Sequence, residues 1–370
     1  MHTELITNWD RFYTLEGEWD DLLERSRANT IFQTWEWVQA WLKTGGQKRN
    51  PYILVVRDFG GALLGVAPYQ VVEYQFLKLI PYRVLCFIAD HPATGSEYPD
   101  WIMDSLREEA VSQAIAKGLS EFQDDWDLIW MPNVRTWDGS EGYIRGAVRL
   151  VNFYCNSRRT DFSAFELPSD VDAYMAMLSR NQRSQLRRNV KRVMASGQMI
   201  VERCQDQSQL GKYLSTLYML HLRRWEAKGS PGFVKRHPRQ KDFYDQFAPI
   251  ALKNGWLRIY VLKVDGIAKA TQIGYVYQDT YFQLQEGFDP DFVSGIGNVL
   301  RMKVIEDCIA EGVREYDFLG GHSEHKRRWG AKKRFGCDLL LGNRAIKNRL
   351  ILKGKVWPTG RFLRVHECKC

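Results

Sequence analysis

No stretch of this 370-residue chain approaches the ~20 consecutive apolar residues of a membrane span. Its start, Met1-His2-Thr3-Glu4, has neither the basic nor the apolar region of a secretory leader, so export is not expected. Cysteine is sparse and odd in number, seven in all. Cys86, Cys155, Cys204, Cys308 and Cys337 are scattered through apolar or mixed segments, which suits a reducing cytoplasm better than a disulfide framework. Cys368 and Cys370 form a C-x-C with no second pair to complete four ligands, so no metal site is expected there. Gly-x-Ser-x-Gly, a Walker-type loop and His-Glu-x-x-His are all missing. Hydrolase, phosphotransferase and metalloprotease readings therefore have no support.

What remains is an ordinary globular composition, 45% hydrophobic and 26% charged, at a length that suggests two domains. The net charge of +8 is unevenly spread. Residues 180–203 hold seven Lys/Arg against Glu202, and residues 344–370 hold eight against Glu367. Such local basic surfaces suit a polyanionic ligand such as CoA, a sugar nucleotide, an acidic polysaccharide or a lipid headgroup, or are simply solvated faces.

The order of elements is of α/β (α+β) type. Residues 16–25 and 35–43 read as helices, the second led in by Gln33-Thr34 as its cap. Strands are expected at 52–57 and 62–72, around the Gly60-Gly61 turn, and at 83–89 and 126–130, with a helix at 106–119. Residues 156–170 read as a loop between domains. Helices follow at 179–195, 208–226 and 240–253, the last two separated by a Gly229–Pro238 loop. Strands at 256–264, 267–277 and 280–288 meet at Asp265-Gly266 and Gln278-Asp279, both hairpin turns. A strand near 337–341 closes the second domain, and a basic helix opens the tail. The expected boundaries are 1–165, 166–343 and 344–370.

Residues 281–334 are the most telling. An aromatic/polar strand leads through Ser294-Gly295-Ile296-Gly297 into a helix, then to a short strand, 315–319, ending at Gly320-Gly321. The first amides of a helix lack partners within it and, with the helix dipole, favour a phosphate or pyrophosphate. Gly295 and Gly297 have no Cβ, so a ligand can approach the backbone closely. Glu286 alternates with Phe282, Leu284 and Phe288; a carboxyl on such an apolar face has its pKa raised toward general-base range, unless it pairs with a buried arginine. His221 falls on the stripe of Leu210, Leu214, Leu217 and Trp225, where a satisfied core histidine is the commoner outcome. His322 and His325 lie three apart, with no strong third ligand to make a metal site.

Several runs, taken in order, resemble the CelD/BcsL-type acetyltransferases of the GNAT superfamily, relatives of the Fem-type aminoacyl transferases of cell-wall synthesis. They are Ile31 to Trp37 with Trp41, Arg180-Asn181-Gln182-Arg183 into Leu186-Arg187-Arg188, and Leu220 to Trp225. Gly287-Phe288-Asp289-Pro290 and Tyr316 to Gly321, with Lys326 and Trp329, complete the set. The resemblance implies two tandem GNAT-like domains, each a mixed, mostly antiparallel sheet flanked by helices, the first degenerate. It implies acetyl-CoA or another acyl-CoA as co-substrate, without metal. The acceptor would be an amine of a sugar, glycan precursor or amino-acid-like molecule, in exopolysaccharide or cell-envelope synthesis. A Fem-type donor, aminoacyl-tRNA, is the alternative, although no long heptad insertion for tRNA is present. The third reading is a non-catalytic module for anionic glycans or membrane surface. A cytoplasmic protein in peripheral contact with an anionic membrane face, and with no specific nucleic acid, is the expected setting.

On that resemblance the backbone of Ser294, Gly295, Ile296, Gly297 and Asn298 would hold the donor pyrophosphate. Phe292 stands where many GNAT enzymes carry Gln or Arg three residues before the first glycine, so the amides must do more. Acyl transfer to an amine titrating near ~10 also needs a proton acceptor. Glu286 is the first candidate and Asp317 the second, the latter equally readable as a cap or ligand orienter. Lys326 would neutralise a phosphate or an oxyanion, or is an exposed lysine of a basic helix. His221, Arg224, Trp225 and His325 are assigned to acceptor binding, a Trp beside an Arg being suited to stacking on a ring.

Overall fold

Amphipathic patterning becomes two separately packed units in the computed structural model, which describes residues 1–89, 94–358 and 362–365. The first is made by the described parts of Met1–His91, Ser96–Thr160 and Phe335–Cys370, the second by those of Pro92–Gly95 and Asp161–Arg334.

The first unit opens with β1 (His2–Ile6), α1 (Trp9–Tyr13), α2 (Glu16–Glu24) and α3 (Trp35–Lys43), the last capped by the Thr34 hydroxyl on the Trp37 N–H. Then come β2 (Pro51–Arg57), β3 (Leu63–Phe76), β4 (Ile80–Phe87), β5 (Ile102–Met103), α4 (Glu108–Glu121), β6 (Leu128–Arg135), α5 (Ser140–Leu150) and β7 (Tyr154–Glu166). The second unit continues with α6 (Val171–Met177), α7 (Arg180–Met194), β8 (Met199–Arg203), α8 (Gln207–Glu226), α9 (Gly232–Arg236), α10 (Pro238–Lys253), β9 (Leu257–Val264), β10 (Ile267–Tyr277), β11 (Thr280–Phe288), α11 (Ile296–Ala310), β12 (Glu315–Gly320) and α12 (Glu324–Arg328). β13 (Lys332–Gly342), α13 (Ile346–Lys353) and β14 (Leu363–Val365) end the chain. It leaves the first unit inside β7 and returns to it inside β13.

In the first unit the strand path is β1-β2-β3-β4-β6-β13, antiparallel except for β4 and β6, which run parallel from Val84↔Leu128 to Cys86↔Trp130. Its core gathers Trp101, Trp126, Leu54, Ile115 and Ile129 under α4 and α5. In the second unit the path is β7-β12-β11-β10-β9-β8, again with one parallel pair, β11 on β12. The Asp265-Gly266 turn between β9 and β10 takes φ of 49° and 78°, as a tight hairpin requires. α11, with Val299, Leu300, Val304 and Ile305 buried, fills the face of this sheet together with Tyr281, Tyr316 and Trp329.

Four expectations change. The segment 156–170 is largely strand β7, whose exposed basic residues hid the alternation. The 229–238 loop contains α9. The second domain loses its last strand, because β13 pairs with β6 from Leu339↔Met131 to Gly342↔Leu128, a long-range partner that no local signal reveals. Part of the expected tail likewise belongs to the first unit, with β14 paired to β3. Cys368 and Cys370 lie outside the described residues.

Candidate functional site

β11 and β12 stay in register for only three pairs, Thr280↔Glu315, Tyr281↔Tyr316 and Phe282↔Asp317, and β11 then runs on to Phe288 without β12 beside it. On its other edge, Asp289 N–H donates to the Lys269 carbonyl at 2.8 Å. Since bonded and unbonded pairs alternate along an antiparallel ladder, Ala270↔Phe288 and Gln272↔Glu286 are its unbonded pairs. The N–H and C=O of Glu286 and Phe288 therefore point away from β10, to the edge that β12 has left.

A bulge between Ile273 and Gly274 resets the side-chain alternation on β11. Tyr281 and Phe288, an odd number of residues apart, consequently pack into the same α11 core. Glu286 does not continue the face of Phe282, as simple alternation requires. It pairs instead with two arginines: Arg301 Nη2 on one carboxylate oxygen, and Arg224 Nη1 on the other at 2.8 Å. Arg301 also donates to His325 Nε2 at 2.6 Å, and its guanidinium lies 5.2 Å from the Trp329 ring centroid. Burial acts to raise the Glu286 pKa, but Arg301, Arg224 and His325 outweigh it and hold the group at about 2. The raised pKa expected for a general base is thus reversed.

His221 is a satisfied core histidine. Nδ1 faces the Glu286 carbonyl at 3.1 Å, and Nε2 accepts from Phe233 N–H at 3.3 Å. This fixes the neutral tautomer, and burial lowers its pKa to about 4. α8 reaches β11 because Gly287 has no side chain; a Cβ there would overlap the His221 backbone. Arg224 joins the Glu286 carbonyl at 3.2 Å and stacks 4.8 Å from the Phe288 centroid. His325 is exposed on its outer side; desolvation of the inner edge, then Arg301, hold its pKa near 4.

At the start of α11, Gly295 is the N-cap at φ 92°, with no side chain to cap the helix. The Gly295 carbonyl already receives the N–H groups of Asn298 at 3.0 Å and Val299 at 3.1 Å. The two glycines are less bare than expected. A Cβ at Gly295 would overlap the Asn189 carboxamide, and one at Gly297 would lie 3.2 Å from the Phe288 ring. Their missing side chains admit α7 and β11. α7 also brings Arg192 Nη1 to the Ser294 carbonyl at 3.0 Å, and it carries no acidic residue.

Asp317 and Lys326 are committed to backbone. Asp317 accepts Leu319 N–H at 2.7 Å, holding Leu319 at φ 61° where β12 loses register with β7. Lys326 Nζ donates to the carbonyls of Phe318, Leu319, Gly320 and Gly321 at 2.8, 3.3, 2.5 and 3.0 Å, which leaves no spare donor for a phosphate or oxyanion. His322 faces Ser163 at 2.7 Å, away from His325. Among the described residues no group of three or more His, Cys, Asp or Glu could hold a metal ion.

Arg301 and Asn189 were missed in the sequence, and Arg192 was read only as one of the seven basic residues of 180–203. Arg301 had a signal: an arginine within the apolar run Val299-Leu300-Arg301-Met302 is one that must find a buried partner. Four buried donors have no acceptor among the described residues: Arg224 Nε and Arg301 Nε beside Glu286, Asn189 Nδ2 against Gly295, and Trp225 Nε1 on α8. Buried donors are rarely left so.

Residues 180–327 match the model of the acetyltransferase (GNAT) domain. No curated protein matches the chain. Among solved structures it is similar to FemX, at 14% identity and TM-score 0.63, covering 92% of this chain and 97% of that one. It is similar to L-PGS from Bacillus licheniformis at 12% identity and TM-score 0.52, covering 92% and 96%. A tandem GNAT protein from the clavulanic acid biosynthesis pathway aligns at 11% identity and TM-score 0.50, covering 92% and 98%. No helix among the described residues is long and apolar enough to cross a membrane. With an open β11 edge, a helix start beside it and a domain match that spans both, the chain has the tandem GNAT fold, and its second unit carries the match to the acetyltransferase (GNAT) domain.

Proposed function

We propose that the second unit transfers an acyl group from acyl-CoA to an amine. One observation carries this reading: beside a strand edge that β12 leaves open, the Nε groups of both arginines on Glu286 are buried without an acceptor among the described residues, as is Asn189 Nδ2 at the start of α11. A donor laid along that edge supplies the missing acceptors. Its diphosphate sits at the start of α11, against the amides of Ile296 and Gly297 and beside Arg192. The acyl carbonyl meets the outward amides of Glu286 and Phe288, which stabilise the oxyanion as it forms. Glu286, held near 2, is a poor proton acceptor, and His325 Nε2 is already engaged by Arg301. The amine's proton therefore leaves through water, while Glu286 fixes the two guanidiniums that border the acceptor. The acceptor is a sugar amine, a glycan precursor or an amino-acid-like molecule of exopolysaccharide or envelope synthesis.

Isothermal titration of the full chain with acetyl-CoA and longer acyl-CoAs tests this, alongside Asn298→Asp. An acid in the first turn of α11 favours the helix dipole but repels a diphosphate, so the melting temperature should hold while affinity falls at least about tenfold. Unchanged affinity would overturn the placement.

A second reading, an aminoacyl-tRNA donor, is favoured by α7, where Arg180, Arg187 and Lys191 are exposed beyond what a diphosphate needs. Release of CoA during turnover supports the first reading; deacylation of aminoacyl-tRNA supports the second.

A further inference from the structure

The first unit ends one hairpin in a way its own packing does not require. β3 and β4 stay in register to Phe76↔Ile80, which leaves Leu77-Lys78-Leu79 as the turn. Leu77 and Lys78 both take positive φ, 52° and 63°, a conformation suited to Asn and Gly and unfavourable for larger side chains. The turn nevertheless presents leucine twice, Leu77 at 52% exposure and Leu79 at 82%. Ile80 is exposed beside them, as is Phe362, whose carbonyl accepts Leu77 N–H at 2.9 Å. Leu77, Lys78, Phe362 and Arg364 border one open depression of about 320 Å³.

The charge around this tip is mostly positive, the acids beside it being exposed Glu73 lower on the hairpin and Asp127, paired with Lys347 at 2.7 Å. Residues 74–82 and 344–365 contain no Asp or Glu, and the second stretch holds seven Lys/Arg. α13 continues the pattern. Ile346 and Leu350, one turn apart, are exposed on it with Arg349 and Lys353. Its first turn is tied to the hairpin by the Tyr82 hydroxyl, which donates to the Lys347 carbonyl at 2.8 Å.

Isolated exposed leucines need no explanation, but a protruding apolar tip set among cations does. We propose that the 77–80 turn, with Phe362 and the outer row of α13, docks the protein on an anionic lipid bilayer. The leucines enter the interfacial layer and the lysines and arginines meet headgroup phosphates. A fluid surface accommodates a convex tip, whereas a protein groove would have to match it. This surface lies on the first unit, so the inference stands apart from the transfer chemistry.

The test is co-sedimentation of the full chain with vesicles of phosphatidylcholine alone and with phosphatidylglycerol added. Two double variants accompany it, Leu77→Ser with Leu79→Ser and Arg349→Glu with Lys353→Glu. All four positions are exposed, so circular dichroism should be unchanged. Binding is expected only with phosphatidylglycerol present, weakened at least about tenfold by either double variant and by high salt. Equal binding to both vesicles, or full binding by the serine variant, would overturn the proposal. So would a self-associating chain that the serine variant makes monomeric and that binds no vesicles, which would assign the surface to a second copy.

Discussion

Arg301 on α11 and Glu286 on β11 form an ion pair at the open strand edge, the arginine side chain only 2% exposed. Arg224 shares the same carboxylate, and His221 and His325 stay neutral near pH 7, so the cluster is one charge short of balance. Removing the carboxylate leaves two guanidiniums facing each other out of water. Breaking a buried pair costs about 3–5 kcal/mol. Glu286→Gln should therefore lower unfolding stability by about 3 kcal/mol in urea titration. Arg301→Met should cost less, because Glu286 keeps Arg224. The reverse order of losses would mean that Glu286 is not the hub.

Acid should act in two windows. The Glu286 pKa is depressed, from 4.5 to about 2. Its contribution is present above pH 4.5 and disappears as pH falls toward 2, amounting to about 3 kcal/mol at ~1.36 kcal/mol per unit. The His221 pKa is also depressed, from 6.5 to about 4. The unfolded chain then binds the proton first, so stability falls between pH 6.5 and 4 by a comparable amount. Chemical denaturation at stepped pH should show both slopes. His221→Asn should make the upper one shallower and leave the lower one in place, the remainder of the upper slope coming from His325, and an unchanged upper slope in that variant would remove His221 as a source.

The strand-turn-helix-strand order at 281–319 was readable because each piece has a local cause: aromatic alternation, glycines at the helix start and paired hairpin turns. What could not be read is what those pieces meet. Alternation placed Glu286 with Phe282, and only the bulge opposite Ile273 and Gly274, a property of two strands together, moved it onto Arg301. Gly295 looked like an opening for a ligand, while the side chain that uses its missing Cβ comes from Asn189, more than a hundred residues earlier. Lys326 was noticed as a cation; that four carbonyls converge on it depends on the positive φ of Leu319 and Gly321. β7 was lost because its first residues are polar on both faces, and β13 was given to the wrong unit because its partner β6 is some two hundred residues away.

The Asn189–Gly295 contact can be tested by a pair of substitutions. Gly295→Ala places a methyl at positive φ and into the Asn189 carboxamide, so a loss of about 2 kcal/mol or more is expected. Asn189→Ala alone should cost little, since its Nδ2 has no acceptor among the described residues. In the double variant the clash is gone and only the backbone strain remains. The two changes should therefore couple by about 1 kcal/mol in thermal or urea unfolding. Strict additivity would show that α7 is not seated on that glycine.

Lys326 separates a structural from a catalytic reading of the segment after β12. Its ammonium is the partner of carbonyls 318–321, those of Phe318 and Leu319 part-buried and those of Gly320 and Gly321 exposed, and only the first two lose by being left uncompensated. Lys326→Met should thus destabilise the chain by about 1 kcal/mol and loosen the end of β12, read as faster amide exchange at Leu319, whose N–H Asp317 holds. Lys326→Arg should fail to restore it, because a planar guanidinium cannot point its donors at four converging oxygens. A lysine that served an oxyanion instead would give the opposite pattern. Lys326→Met would then keep its melting temperature and lose turnover, with exchange at Leu319 unmoved.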